Sequence, residues 1–393
     1  MIYDFDTPVN RRNTSSLKWD VSENELPMWV ADMDFKTAPE IHEAIKRRAE
    51  SGIFGYTVIP KEWQESYAEW WRKRHGFEMQ KEYLIFCTGV VPAISSIVRK
   101  LTTPAEKVLI QTPVYNIFFN SIINNGRQVI ECPLGYDSEA AEYSINFDEL
   151  EKKLSDPQTS LMILCNPHNP IGKIWDKETL STIGELCLRH NVTVISDEIH
   201  CDLTDPGLEY IPFASVSDEC RDNSITCIAP TKTFNLAGIQ TAAVYIPNPV
   251  LRHKVWRGLN TDEVAEPNFF AADAAAAAYK NGEKWLDQLR NYIYDNKNTV
   301  YSFIKKEIPN IKAVFSQATY LIWIDCTKFL SDLKSDYKND VSAAKLIREK
   351  SGLYLSSGEQ FGENGKNFVR MNVACPRSFV EEGLNRLRKS LQV

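Results

Sequence analysis

The chain has 393 residues, a formal net charge of -7, 43% hydrophobic residues and 25% charged residues. That length leaves room for two or three units around a sizeable core, and the ordinary balance excludes a disordered chain or a coiled coil. An acidic balance gives no general attraction to nucleic acid or anionic lipid, so small-molecule chemistry is the expectation.

Nine cysteines, odd in number and without a C-x-x-C pair, read as free core thiols rather than a disulfide framework or zinc knuckle. The start, Met1 to Asp6, carries acidic residues where a secretory signal needs positive charge. No apolar run approaches the ~18 residues of a membrane span. The expectation is a soluble cytoplasmic protein without a membrane partner.

From Tyr83 to Ile228 short apolar runs alternate with helical patterns. The runs are Tyr83–Phe86, Val108–Ile110, Leu161–Leu164, Val192–Ile195 and Ile225–Ile228. Continuous apolar runs of this length suit buried parallel strands. Between the third and fourth, Asp176 is placed to cap a helix with Leu180, Ile183, Leu186 and Cys187 on one side, ending near Asn191. The alanine-rich stretch Phe270 to Tyr279 predicts another helix, and the chain after Tyr292 reads as mixed helices and strands. The expected division is an N-terminal segment 1–45 packed on a small unit 290–393, with a large unit 46–289 between them.

In an open parallel sheet, ligands bind beyond the carboxyl ends of the strands, so the residues just past each run matter most. After the first run, Thr88-Gly89-Val90-Val91-Pro92 predicts a strand-to-helix turn with Pro92 opening the helix and free N–H groups able to hold phosphate. The second run delivers Tyr115. The third ends in Asn166-Pro167-His168-Asn169-Pro170, fixing two amides at the sheet rim. The fourth ends in Asp197 and the fifth in Lys232, an amine in an apolar setting whose proton affinity burial would lower. Each alone is an ordinary feature: a βα turn, a core aromatic, a turn acid. A metal reading of Asp197, His200 and Cys201 lacks a second ligand cluster, and no metal is expected.

Together the rim offers an amine, a carboxylate, an amide, an aromatic ring and an anion-binding turn. That set matches the needs of pyridoxal 5'-phosphate (PLP). The order of motifs resembles the fold-type I PLP enzymes of the class I/II aminotransferase superfamily. More narrowly it resembles their cystathionine β-lyase or C–S lyase (MalY/PatB-type) branch, from about Asp32 to Arg377. The segments that carry the resemblance are Ala31–Phe35, Phe54–Tyr56, Gly89–Ala93, Asn166–Pro170, Ser196–His200, Lys232–Asn235 and Thr319–Trp323.

The resemblance implies an α/β fold: a large PLP-binding domain with a mostly parallel seven-stranded-type sheet flanked by helices, plus a smaller α+β domain from both chain ends. It implies Lys232 as the Schiff-base lysine, Asp197 on the pyridinium nitrogen, Asn169 on the ring hydroxyl and Tyr115 stacked on the ring. Val90 and Val91 would offer N–H groups to the phosphate, with His200 and Thr231 also at the cofactor. Phe368–Asn372 looks like the family's arginine motif, in which Arg370 grips the substrate carboxylate through its planar fork, with Asn169 and Ala31 at the substrate. Tyr56 matches a tyrosine that serves the neighbouring subunit of a homodimer. Three positions depart from the pattern. His200 stands where aminotransferases commonly have Tyr, as it does in the lyase branch. Ala229 stands where the family often has Ser, with Thr231 as a substitute, and Gln240 stands where many members have Arg.

An amino-acid substrate deprotonated at Cα has two fates: expulsion of a sulfur leaving group from Cβ, giving pyruvate, ammonia and thiol, or transamination. The motif physics serves both, and the branch resemblance favours the lyase over the aminotransferase. A non-enzymatic PLP-binding regulator lacks a helix-turn-helix or basic extension. A nicotinamide dehydrogenase lacks G-x-G-x-x-G among the 17 glycines.

Overall fold

Each of the five apolar runs becomes a strand of one sheet in the computed structural model, which describes residues 2–333 and 342–392. The sheet contains β1 (Leu84–Cys87), β2 (Lys107–Ile110), β3 (Gln128–Glu131), β4 (Thr159–Cys165), β5 (Thr193–Asp197), β6 (Ser224–Ile228) and β7 (Ala242–Tyr245). Their order across the sheet is β1-β7-β6-β5-β4-β2-β3. The strands from β6 to β3 pair in parallel, whereas β7 runs antiparallel between β1 and β6. Strands β4, β5 and β6 are buried almost throughout, as parallel strands covered by helices must be.

Two strands were not among the runs. β7 is Ala-Ala-Val-Tyr, with little β-branched character, and β3 is a half-exposed edge strand with only two apolar residues. β7 also corrects the expectation for the first run. β1 has only this antiparallel partner, so it is not a parallel-paired strand.

The helices include α1 (Pro39–Ala49), α2 (Lys61–His75), α3 (Val90–Leu101), α4 (Lys177–Arg189), α5 (Pro230–Thr233), α6 (Ala271–Asn281), α7 (Glu283–Glu307) and α8 (Arg377–Leu391). Asp176 caps α4 by accepting from the Thr179 N–H at 2.8 Å, and Leu180, Ile183, Leu186 and Cys187 form its buried face. The chain leaves α4 through Asn191 in the left-handed region at φ 57°. α6 is the alanine-rich helix. Its alanines let α1 and α2 approach closely, and seven of its residues are buried.

A second, antiparallel sheet follows: β8 (Lys312–Ala313), β9 (Leu321–Asp325), β10 (Ser356–Ser357) and β11 (Phe368–Asn372), in the order β8-β9-β11-β10. The N-terminal segment packs near it. Leu26–Pro27 pairs in parallel with Leu353–Tyr354, Glu25 binds Arg348, and Phe5 lies on Trp285 and Tyr292. One apolar core runs from Phe5 and Met33 through α6 and α7 into this sheet. Residues 45–46 lie within α1 and residues 289–290 within α7, so neither expected division falls in a linker. α7 is continuous because Trp285, Leu286, Leu289, Ile293, Val300 and Ile304 keep one buried face along its length.

Candidate active site

The strand ends bring their polar residues to one rim. β5 and β6 are parallel neighbours with Asp197 opposite Cys227, so Asp197 ends one strand and Lys232 follows the next by four residues. Lys232 sits in α5, a single turn started by Pro230. α3 begins at Val90, two residues before Pro92, with Gly89 as its cap residue. Pro92 is thus third rather than first in the helix, still within the turn whose N–H groups lack helical partners. A Cβ on Gly89 would lie 3.1 Å from Pro92 Cδ, so the turn is tight.

A second layer comes from the N-terminal segment. The Ala31 carbonyl accepts from Lys232 Nζ at 2.6 Å and from the Tyr320 hydroxyl at 2.9 Å. This segment is held from all sides. Asn372 Nδ2 donates to the carbonyls of Val30 and Asp32, and Asn235 Nδ2 to those of Met33 and Phe35. Arg11 and Lys18 pair with Asp32 and Asp34.

Arg370 lies in the middle of β11, paired with Trp323 on β9 and Ser356 on β10. Its guanidinium donates to Asn169 Oδ1 at 3.0 Å, the Trp29 carbonyl at 3.2 Å and Ser356 Oγ at 3.3 Å, and lies over the Phe361 ring. Arg370 Nε is buried without a partner, as is His200 Nδ1. It is the only buried arginine among the described residues.

The charges act on one another as a single site. Burial pushes Lys232 down to about 8, with Arg370 adding to the shift and Asp32 and Asp197 opposing it. Burial pushes Asp197 up to about 7, against the Ile199 N–H that donates to its Oδ1 at 3.1 Å; Glu198 raises it further and Lys232 opposes. His200 falls to about 3 through burial and the charges of Lys232 and Arg370, so it is neutral. Tyr115 is raised by burial and feels both Arg370 and Asp197. Clustered, strongly perturbed groups of opposite sign at strand ends are what an acid–base site requires.

The fold therefore draws Lys232, Asp197, His200, Tyr115, Asn169, Arg370 and Ala31 together. Thr231 is nearly buried beside Lys232, Val90 is buried and Val91 partly exposed in the first turn of α3. Asn166 departs from the expected rim pair, because its amide turns away to the Ile211 carbonyl. Tyr56 is fully exposed and reaches no site residue of its own chain. Asp197, His200 and Cys201 do not converge. Among the described residues the group that does is His75, Cys201 and Asp202, whose carboxylate already accepts from Trp70, His75 and Thr233.

Tyr320, Ser356 and Asn372 had no assigned part in the sequence. Tyr320 lay in a segment that carries the resemblance, and Asn372 left a signal too, since residues two apart on a strand share a face and Arg370 is its neighbour. An amine, a buried carboxylate, an unpaired guanidinium nitrogen and an open helix start fit the donors and acceptors that PLP and an amino acid present.

The family described as aminotransferase class I and II matches residues 23–387. Cystathionine beta-lyase PatB of Bacillus subtilis (strain 168) is 41% identical over 98% of this chain and 99% of its own length. The structure of cystalysin from Treponema denticola, which contains a PLP cofactor, matches with a TM-score of 0.93 at 35% identity, covering 100% of this chain and 99% of that one. The PLP-bound C-S lyase from Staphylococcus hominis gives 0.92 at 34% identity, covering 99% of each. With a mostly parallel seven-stranded sheet and these strand-end residues, the chain belongs to the class I and II aminotransferase family.

Proposed function

We propose that the chain is a PLP-dependent carbon–sulfur β-lyase of the cystathionine β-lyase type. It would release pyruvate, ammonia and a thiol from a sulfur-containing amino acid. The observation that carries the PLP-dependent amino-acid chemistry is the depressed Lys232 amine beside buried Asp197 on adjacent strand ends, with buried Arg370 facing them. The 41% identical relative is a cystathionine β-lyase, which supports elimination as the reaction.

When bound, PLP supplies an electron sink for the negative charge that develops at the substrate Cα. Lys232 Nζ would hold the cofactor through its aldehyde and would be the base that takes the Cα proton. Asp197 holds a proton on the ring nitrogen by accepting a charge-assisted hydrogen bond. Asn169 orients the ring hydroxyl and Tyr115 covers the ring face. The N–H groups of Val90 and Val91 hold the phosphate, with Thr231 and neutral His200 completing the wall. Arg370 grips the α-carboxylate, and Ala31 closes the substrate side.

The test is product analysis with cystathionine. Pyruvate, ammonia and thiol are expected in equal amounts, and dicarboxylic amino acids are expected to be poor substrates because, among the described residues, no second buried arginine stands by for a distal carboxylate. Arg370→Lys keeps the charge and loses the fork. It should lower kcat/KM by about tenfold or more while the cofactor's absorbance is unchanged. Steady exchange of amino groups with a 2-oxo acid, without pyruvate, would establish the aminotransferase instead.

The same reading makes the protein a cytoplasmic homodimer. Ile53, Phe54, Tyr56 and Val58 stand exposed on one segment, an apolar strip that a second copy would cover while receiving Tyr56 at its phosphate. Nine buried, unpaired thiols suit a reducing compartment. Sedimentation should show a dimer, and Tyr56→Phe should weaken cofactor retention without dissociating it. An active, stable monomer would contradict this.

A further inference from the structure

Five residues beyond Asp197, on the loop leaving β5, Asp202 is buried with its carboxylate fully engaged. Oδ1 accepts from Trp70 Nε1 at 2.8 Å and His75 Nε2 at 2.9 Å, both on α2. Oδ2 accepts from Thr233 Oγ1 at 3.0 Å, on α5. Burial alone would raise this carboxyl, but the His75 and Trp70 bonds and the charge of Arg74 hold it below the usual range. It is therefore a fixed anion beneath the turn that carries Lys232.

That turn has little to orient it internally. α5 is four residues long, closed by the Phe234 N–H to the Pro230 carbonyl at 2.9 Å. A single turn is too short to define its own axis by helical bonding. Thr233, directly after Lys232, is fully buried, and its hydroxyl ties the turn to Asp202. On the other side, Lys232 Nζ reaches the Ala31 carbonyl. The amine is thus set between two anchors, one at its tip and one at its base.

We infer that Asp202 is a positioning residue for Lys232, acting through its hydrogen bond from Thr233 Oγ1. The inference rests on Lys232 being the cofactor-binding amine. Asp202 touches neither cofactor nor substrate; it sets the direction from which Nζ approaches the cofactor aldehyde and the substrate Cα. Small errors in such approach cost rate rather than binding.

Three variants separate positioning from plain stabilisation. Thr233→Val removes the hydroxyl at nearly constant volume, Thr233→Ser keeps it, and Trp70→Phe removes a different donor to the same carboxylate. The readouts are thermal midpoint, kcat and KM, and the rate at which cofactor-free protein forms a borohydride-trappable bond with PLP. Thr233→Val should slow both bond formation and kcat by about tenfold or more with KM within about twofold. Thr233→Ser should stay within about twofold of wild type, and Trp70→Phe should lose comparable stability while keeping both rates within about twofold. Wild-type rates in Thr233→Val, or equal slowing in Trp70→Phe, would overturn the inference. Trapping of wild-type protein at another lysine would instead overturn the parent reading, and this inference with it.

Discussion

Replacing Lys232 with alanine leaves a folded protein in which borohydride traps no PLP at position 232 and elimination falls by at least about a thousandfold. The size of the effect would follow from the double duty proposed for one nitrogen, which would hold the cofactor and serve as the base for the Cα proton. Neither His200, held neutral at about 3, nor Tyr115, raised by burial, is suited to replace it. The wild-type protein supplies a pH test of the same assignment. Only the unprotonated amine attacks an aldehyde, and burial brings Lys232 to about 8. The rate of PLP bonding to cofactor-free protein should therefore rise with pH and level off above about 8. A midpoint near the ~10.4 of an exposed lysine would show that the reactive amine is not this buried one. Near wild-type turnover in Lys232→Ala would remove it as the base.

The strand-end residues were legible because a buried parallel strand is an unbroken apolar run, and the first polar residues after it have to emerge at the rim. Lys232, Asp197 and Asn169 all follow that rule. The antiparallel strand β7 was not legible, since Ala242 and Ala243 carry no strand preference of their own and are placed by the neighbours on either side. Nor were the contacts that complete the site. Ala31 and Lys232 are 201 residues apart, as are Asn169 and Arg370. Asn372 reaches back across more than 340 residues to hold the segment carrying Ala31. No local periodicity encodes such pairs; they exist because β11 and the N-terminal segment pack on the same core. Tyr56 points outward from its own chain, so its expected role depends on a second copy. Asn166 and Asn169 share the doubled Asn-Pro turn that places both at the rim, yet one amide turns to Ile211 and the other to Arg370.

Asp197→Asn should retain cofactor binding to within about tenfold and lose several orders of magnitude in kcat. Asparagine fills the same space and still presents an oxygen to the ring nitrogen, so binding survives. What it lacks is the negative charge that, in the proposed role, would keep a proton on that nitrogen, and without that proton the ring would withdraw electrons from Cα poorly. Stability should move the other way from activity. Burial has already pushed this carboxyl up to about 7, so the charge is costly in the empty site and its removal should not lower the melting temperature of cofactor-free protein. The adjacent Glu198 is the internal control. It follows directly after β5, and the alternation carried one residue past the strand end turns it to the side of Ser196, where it accepts from Ser196 Oγ, the Tyr210 hydroxyl and the Phe213 N–H. Burial raises it to about 7 as well, against these hydrogen bonds, so the two neighbours share burial but not partners or geometry. Glu198→Gln should therefore disturb stability more than kcat, the reverse of Asp197→Asn. If Asp197→Asn loses less than about tenfold in kcat, equivalent to ~1.4 kcal/mol of barrier, or if the two variants behave alike, Asp197 does not hold the electron sink charged.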